Sequence, residues 1–158
     1  MAVVAFAAVS LLSGCHRGPG KSRSRNEQQR AIALLRSAYA AFNRNDIPSA
    51  VAQFDPNVEW TEPAEFPGGG TYHGRSEVAR YLTQSRAGWT EGASEPVQFT
   101  VRGNRIVVFV HAKFRMKDKP AWTEVDLADV YTFHQRTLVA MRAFADRKAA
   151  LQWAESAN

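Results

Sequence analysis

An α+β fold, a cone-like curved antiparallel sheet wrapped around helices, is predicted for this 158-residue chain by three observations. Apolar residues recur at helical spacing in three separate blocks before residue 85. From Glu95 onward the period changes to two and holds to Ala145, with turn signals between the runs. At 45% hydrophobic and 22% charged, the chain is long enough for one packed core and too short for two. Helices first and a meander of strands afterwards segregate into an α+β arrangement, and strand twist curves such a sheet about a helix so that a pocket is left between them.

Each element has its own justification. Across residues 27–44, Ile32, Leu35, Tyr39 and Phe42, with Leu34, Ala38 and Ala41, make the apolar stripe of a long amphipathic helix. Asn45, Asp46, Ile47 and Pro48 break it. Asp46 can cap a short second helix holding Ala50, Val51 and Phe54, with Pro48 tolerated in its first turn and Asp55-Pro56 ending it. A strand follows over residues 58–62. The glycines at 68, 69 and 70 form a turn, since no Gly-Lys-Ser/Thr follows at the spacing of a phosphate cradle. Thr71, Tyr72 and His73 are extended. Gly74 opens a helix carrying Val78, Ala79, Tyr81 and Leu82, with Glu77 in the first turn where the helix dipole favours it. In the meander, strands over residues 97–102, 106–116, 122–133 and 138–145 are separated by Gly103-Asn104 and by the turn 117–120. Asp146 can cap a terminal helix through Leu151 and Trp153.

The first residues read differently. Residues 1–14 carry no charge and end in Leu12-Ser13-Gly14, followed by Cys15, the one cysteine of the chain. This resembles a bacterial lipoprotein signal, which implies acylation of Cys15, export, and anchoring of the protein to a bacterial membrane. Fourteen residues are fewer than the ~20 that span a bilayer core. No basic residue precedes the apolar run, so a translation start upstream of Met1 is left open. Residues 15–26 are Gly, Ser and Arg-rich without apolar period and read as a flexible basic tether, leaving residues 27–158 as the domain. Most of the net charge of +5 sits on that tether with no interleaved aromatic residue for base stacking, so nucleic-acid binding is not expected.

Chemistry points to two acids. Val58, Trp60 and Glu62 share one face of the strand that Pro63 terminates, so Glu62 lies on an apolar face at a strand end beside a turn. Val125, Leu127, Asp129, Tyr131 and Phe133 likewise share a face that Asp129 interrupts. The alternative for Glu62 is a strand-end glutamate bent out to water. His73, His111 and His134 are not at ligand spacing, so no metal is expected, nor any other cofactor. His111, with Val107, Phe109, Lys113 and Arg115, is read as an outer surface on which a homodimer could form. Arg142 is read as solvated.

The blocks A-Y-A-A-F-N-R-N-D, V-E-W-T-E-P, G-G-T-Y-H-G-R-S-E-V, A-D-V-Y-T-F and M-R-A-F-A-D-R-K-A-A-L, in that order over residues 30–155, resemble the SnoaL-like branch of the nuclear transport factor 2-like superfamily, whose fold is cystatin-like. The resemblance implies a pocket for a small hydrophobic molecule. The superfamily includes ketosteroid isomerase, where an aspartate base works against an oxyanion hole of a tyrosine and a protonated aspartic acid. Matching the blocks places Glu62 at the base and Asp129 at the protonated acid, with Trp60, Tyr72, Tyr131, Tyr39 and Met141 about the ligand. The tyrosine of the oxyanion hole falls on Ala38, one residue before Tyr39 and so about 100° away around the helix. That mismatch leaves two readings open: a pocket that binds without catalysis, and an isomerase or cyclase acting on a carbonyl compound.

Overall fold

The computed structural model describes residues 19–156, with side chains from residue 24; Cys15 and the apolar run before it lie outside the described residues. The order is α1 (Pro19–Asn43), α2 (Ile47–Val51), β1 (Phe54–Glu62), β2 (Gly70–His73), α3 (Arg75–Ala87), β3 (Trp89–Arg102), β4 (Arg105–Met116), β5 (Trp122–His134), β6 (Thr137–Phe144) and α4 (Arg147–Glu155). Six strands form one curled, unclosed sheet in the order β2-β1-β6-β5-β4-β3. Every neighbouring pair is antiparallel except β1 and β6, which run parallel with Trp60 opposite Met141.

The core lies in the hollow of the sheet. Leu35 and Tyr39 of α1 and Val78 and Leu82 of α3 pack with Val58, Trp60, Val108, Tyr131 and Leu138 from the strands. Alternation along β5 is what permits this: Leu127, Asp129, Tyr131 and Phe133 turn inward while Ala128 and Val130 turn out. Asn43, the last residue of α1, fastens the helix to the sheet by exchanging two hydrogen bonds with the backbone of Ser94, at 2.9 and 3.0 Å.

Four expectations are corrected. The first helix begins at Pro19, not near Glu27. Proline is pre-shaped for a first turn, and a helix whose opening turns carry no apolar stripe leaves no periodic trace in the sequence. Phe54 belongs to β1, because it pairs with Leu138 of the parallel β6, a partner more than eighty residues away. β3 starts at Trp89, six residues before its alternation becomes visible. Register shifts between Trp89 and Glu91 and between Pro96 and Gln98, with Gly92 at φ 129°, scramble the two-residue period there. A Cβ on Gly92 would come within 2.4 Å of the Lys113 carbonyl oxygen, so the close approach of β3 and β4 requires glycine.

The fourth correction concerns the outer surface. Val107 and Phe109 are not a free face for a second copy: they are buried under α4, packed with Ala128, Val130, Ala150 and Ala154. Asp146 caps α4 by accepting from the Ala149 amide at 2.7 Å, as its position suggests. Beyond α4 the same face is charged. His111 Nδ1 lies 2.9 Å from Asp126 and Lys113 Nζ 2.6 Å from Glu124, and Arg115 pairs with Glu91. Arg142 is exposed, its guanidinium 5.7 Å from the centre of the Trp153 ring.

Candidate functional site

A cavity of about 720 Å³ opens between α1, α3 and the concave face of the sheet. Its floor follows one face of β5, where Thr123, Val125, Leu127, Asp129 and Tyr131 line it in strict alternation. At ~3.4 Å per residue, the stretch from Thr123 to Asp129 makes the cavity roughly 20 Å long. The walls are aromatic. Trp89 and Phe114 stack with centroids 4.4 Å apart, and Phe42 meets Trp89 edge-on at 5.6 Å. The turn after β1 contributes Phe66, Pro67 and Gly68 to the lining.

Polar groups gather at the inner end. Asp129 is 8% exposed, the one buried charged residue among the described residues, and Tyr39 and Tyr131 are as deeply buried. Tyr39 donates its phenol proton to Asp129 Oδ2 in a very short hydrogen bond, and Tyr131 donates to the Tyr39 oxygen at 2.9 Å. Tyr131 also lies 3.4 Å from Asp129 Oδ2. Burial pushes Asp129 up to about 6, and donation from the two phenols restrains it from rising further. Both tyrosines are raised well above the ordinary phenol range, first by burial and next by the adjacent Asp129, so they stay protonated donors.

Glu62 sits at the end of β1 because Pro63 cannot continue the ladder, and β1 places it on the cavity side beside Trp60. Trp60 donates its indole proton to Glu62 Oε1 at 2.7 Å. Burial, and then the charge of Asp129, push Glu62 up to about 7; hydrogen bonds from Trp60 and Tyr81 act in the opposite direction. Asp129 acts electrostatically on Glu62, and both acids line the same cavity.

Of the residues anticipated, Glu62, Asp129, Trp60, Tyr39 and Tyr131 meet around this space. Tyr72 does not line it: the ring stacks on Tyr81 at 4.4 Å and the hydroxyl donates to the Gly68 carbonyl at 2.5 Å, bracing the lining from behind. Met141 is buried beneath, between its strand neighbours Trp60 and Tyr131. Tyr39, one residue past Ala38, brings its phenol oxygen to Asp129. Tyr81 was read only as part of an apolar helix face. Its position one turn behind Val78 and Glu77 carries no signal of the hydroxyl's contact with Glu62. Among the described residues no cluster of three or more His, Cys, Asp or Glu side chains could hold a metal ion.

The sequence profile of the SnoaL-like domain matches residues 35–141, which spans the helix bearing Tyr39 through the strand bearing Met141. The chain belongs to the SnoaL-like domain family. Among solved structures, this SnoaL-like domain is similar to a nuclear transport factor 2-like protein of unknown function from Burkholderia pseudomallei, with 25% identity, a TM-score of 0.66, and coverage of 78% of this chain and 95% of that one. TerC, solved with polyporic acid, is 23% identical with a TM-score of 0.65 over 80% of this chain and 99% of its own. A hypothetical protein of ketosteroid isomerase-like fold from Catenulispora acidiphila, in complex with trimethylamine, is 13% identical with a TM-score of 0.64, covering 75% and 89%. No curated protein matches the sequence.

Proposed function

We propose that this SnoaL-like domain takes a small, largely apolar carbonyl compound into its cavity and moves a proton on it, as an isomerase or cyclase does. The observation that carries this reading is the placement of two carboxyls and two buried phenols together at the inner end of an otherwise aromatic and aliphatic hollow. A base poised near 7 is the value at which proton abstraction and availability at neutral pH are best balanced, and Glu62 has it. Burial raises both acids, Glu62 to about 7 and Asp129 to about 6, so each can carry a proton close to neutral pH. In the form with Glu62 ionised and Asp129 protonated, a carbonyl oxygen seated against Tyr39 and Asp129 receives their hydrogen bonds while the Glu62 carboxylate takes the proton from the neighbouring carbon, and the enolate's charge is held by those donors.

The second reading, binding without turnover, is favoured by one observation: Tyr131 donates to Tyr39 and Tyr39 to Asp129, so the phenols spend their protons on protein partners. Deuterium exchange at the carbon next to the carbonyl of an enolisable ketone, followed by NMR in heavy water, separates the two. Exchange by the wild type that falls about a hundredfold in Glu62→Gln supports catalysis, on the usual scale of general-base contributions. Exchange that survives in the variant removes Glu62 from the mechanism. A ketone that binds without exchanging leaves the binding reading.

The anchor belongs to the same proposal. Acylation of Cys15 would hold the domain at a bacterial membrane, close to apolar molecules that partition there, and the apolar run ending in Leu12-Ser13-Gly14 supports it. Among the described residues no helix is long and apolar enough to cross a membrane. Membrane fractionation of the full chain beside Cys15→Ser tests the anchor: equal partitioning of both would sink it.

A further inference from the structure

The cavity is electrically lopsided along its length. Both of its lining carboxyls, Glu62 and Asp129, lie beside the buried Tyr39, Trp60 and Tyr131, while the exposed Lys119, on the turn before β5, marks a mouth beyond the far end of the β5 lining. Lys119 lies on the turn between β4 and β5, and the turn is held at two points: the Lys119 amide donates to the Met116 carbonyl at 3.2 Å, and the Lys117 amide donates to the Gly88 carbonyl at 2.9 Å. Met116 and Gly88 themselves line the mouth, so the backbone that carries Lys119 is fixed to the rim it overlooks. Its ammonium has no carboxylate partner among the described residues, whereas Lys113 on the outer face is 2.6 Å from Glu124. Lys117 and Asp118 share the turn but do not line the cavity.

A ligand with one anionic end cannot place that end among two carboxyls in a low-dielectric pocket without a heavy desolvation and repulsion cost. At the mouth the same group stays partly hydrated and meets a cation with no competing partner. Six residues of β5, roughly 20 Å of strand at ~3.4 Å per residue, separate Asp129 from Thr123 on the side of the Lys119 turn, which keeps the acids and the cation from neutralising one another. We infer that Lys119 selects and orients ligands bearing an acidic group, a carboxylate or sulfonate, on the end that stays at the mouth, so that the neutral oxygen-bearing end enters first. This rests on the cavity being a ligand site, as proposed above, but not on turnover. Lys119 is thus a specificity-determining residue and takes no part in the proton transfer.

Two naphthyl probes that differ in charge test it: N-phenyl-1-naphthylamine, neutral, and 1-anilinonaphthalene-8-sulfonate, anionic, titrated by fluorescence against the wild type, Lys119→Glu and Lys117→Glu. The expected result is that the two probes compete for one site, that Lys119→Glu weakens the anionic probe at least tenfold and the neutral one less than twofold, and that Lys117→Glu changes both less than threefold. Added salt should weaken only the anionic probe. Equal losses in the two lysine variants would show a general field rather than a contact at the mouth, and would overturn the assignment. Unchanged binding of the anionic probe in Lys119→Glu would do the same. If the neutral probe binds and the charge preference is missing, the pocket stands and only this inference falls; if neither probe binds the wild type, both fall.

Discussion

Asp129→Asn should make the domain more stable at alkaline pH and less stable at acid pH, with the crossover set by the titration of one buried group. Burial raises Asp129 in the folded protein from 3.8 to about 6. Between those values the folded state binds more protons than the unfolded one, so stability falls as pH rises through the window and the deficit is complete above about 6. A shift of about two units corresponds to about 3 kcal/mol. Asparagine keeps the shape and the acceptor for the Tyr39 hydroxyl but cannot ionise, and its amide donors, facing the same phenols, cost about 1–2 kcal/mol. The variant should therefore gain about 1–2 kcal/mol over wild type at pH 8 and lose a similar amount near pH 3.5. Loss of the Asp129 charge also relieves Glu62, which adds in the same direction above neutrality. Urea unfolding of both proteins in steps from pH 3.5 to 8 gives the curve directly. A stability difference that does not change with pH would mean that Asp129 titrates like a solvated carboxylate in both states, and the account of a dry inner end would be refuted.

Two more predictions follow from named contacts. Tyr81→Phe keeps the ring that stacks on Tyr72 but removes the hydroxyl's restraint on Glu62; the base limb of any pH–rate or pH–binding profile should move to higher pH, with little change in melting temperature. Asp146→Ala removes the cap of α4, which should cost about 1 kcal/mol by thermal unfolding and, by loosening the helix over Val107 and Phe109, increase binding of a surface hydrophobic dye outside the cavity.

What the sequence made legible was whatever is encoded within a few residues. Alternation on β1 and β5 was enough to turn Glu62 and Asp129 inward, and the two aspartates at 46 and 146 announced their helices by capping chemistry. The contact that defines the site was not of this kind. Tyr39 and Asp129 are ninety positions apart, and neither helix spacing nor strand alternation says that the phenol reaches the acid. The start of β3 was hidden by its own bulges, and the start of β1 by a parallel partner that arrives only near the end of the chain. The coverage of Val107 and Phe109 by α4 was hidden for a simpler reason: two short apolar patches, each ordinary alone, say nothing about which of them pairs with the other.

The bulges of β3 have a bearing on the molecule's behaviour in a crowded solution. This fourteen-residue strand is one margin of an unclosed sheet, and a long straight margin would offer a template on which unrelated extended chains could add. Pro96 has no amide proton to offer, the backbone jumps register beside it and again near Trp89, and Gly92 bends it between. An intruding chain would find no uninterrupted run of docking groups, which lets the sheet stay open around its cavity without inviting polymerisation.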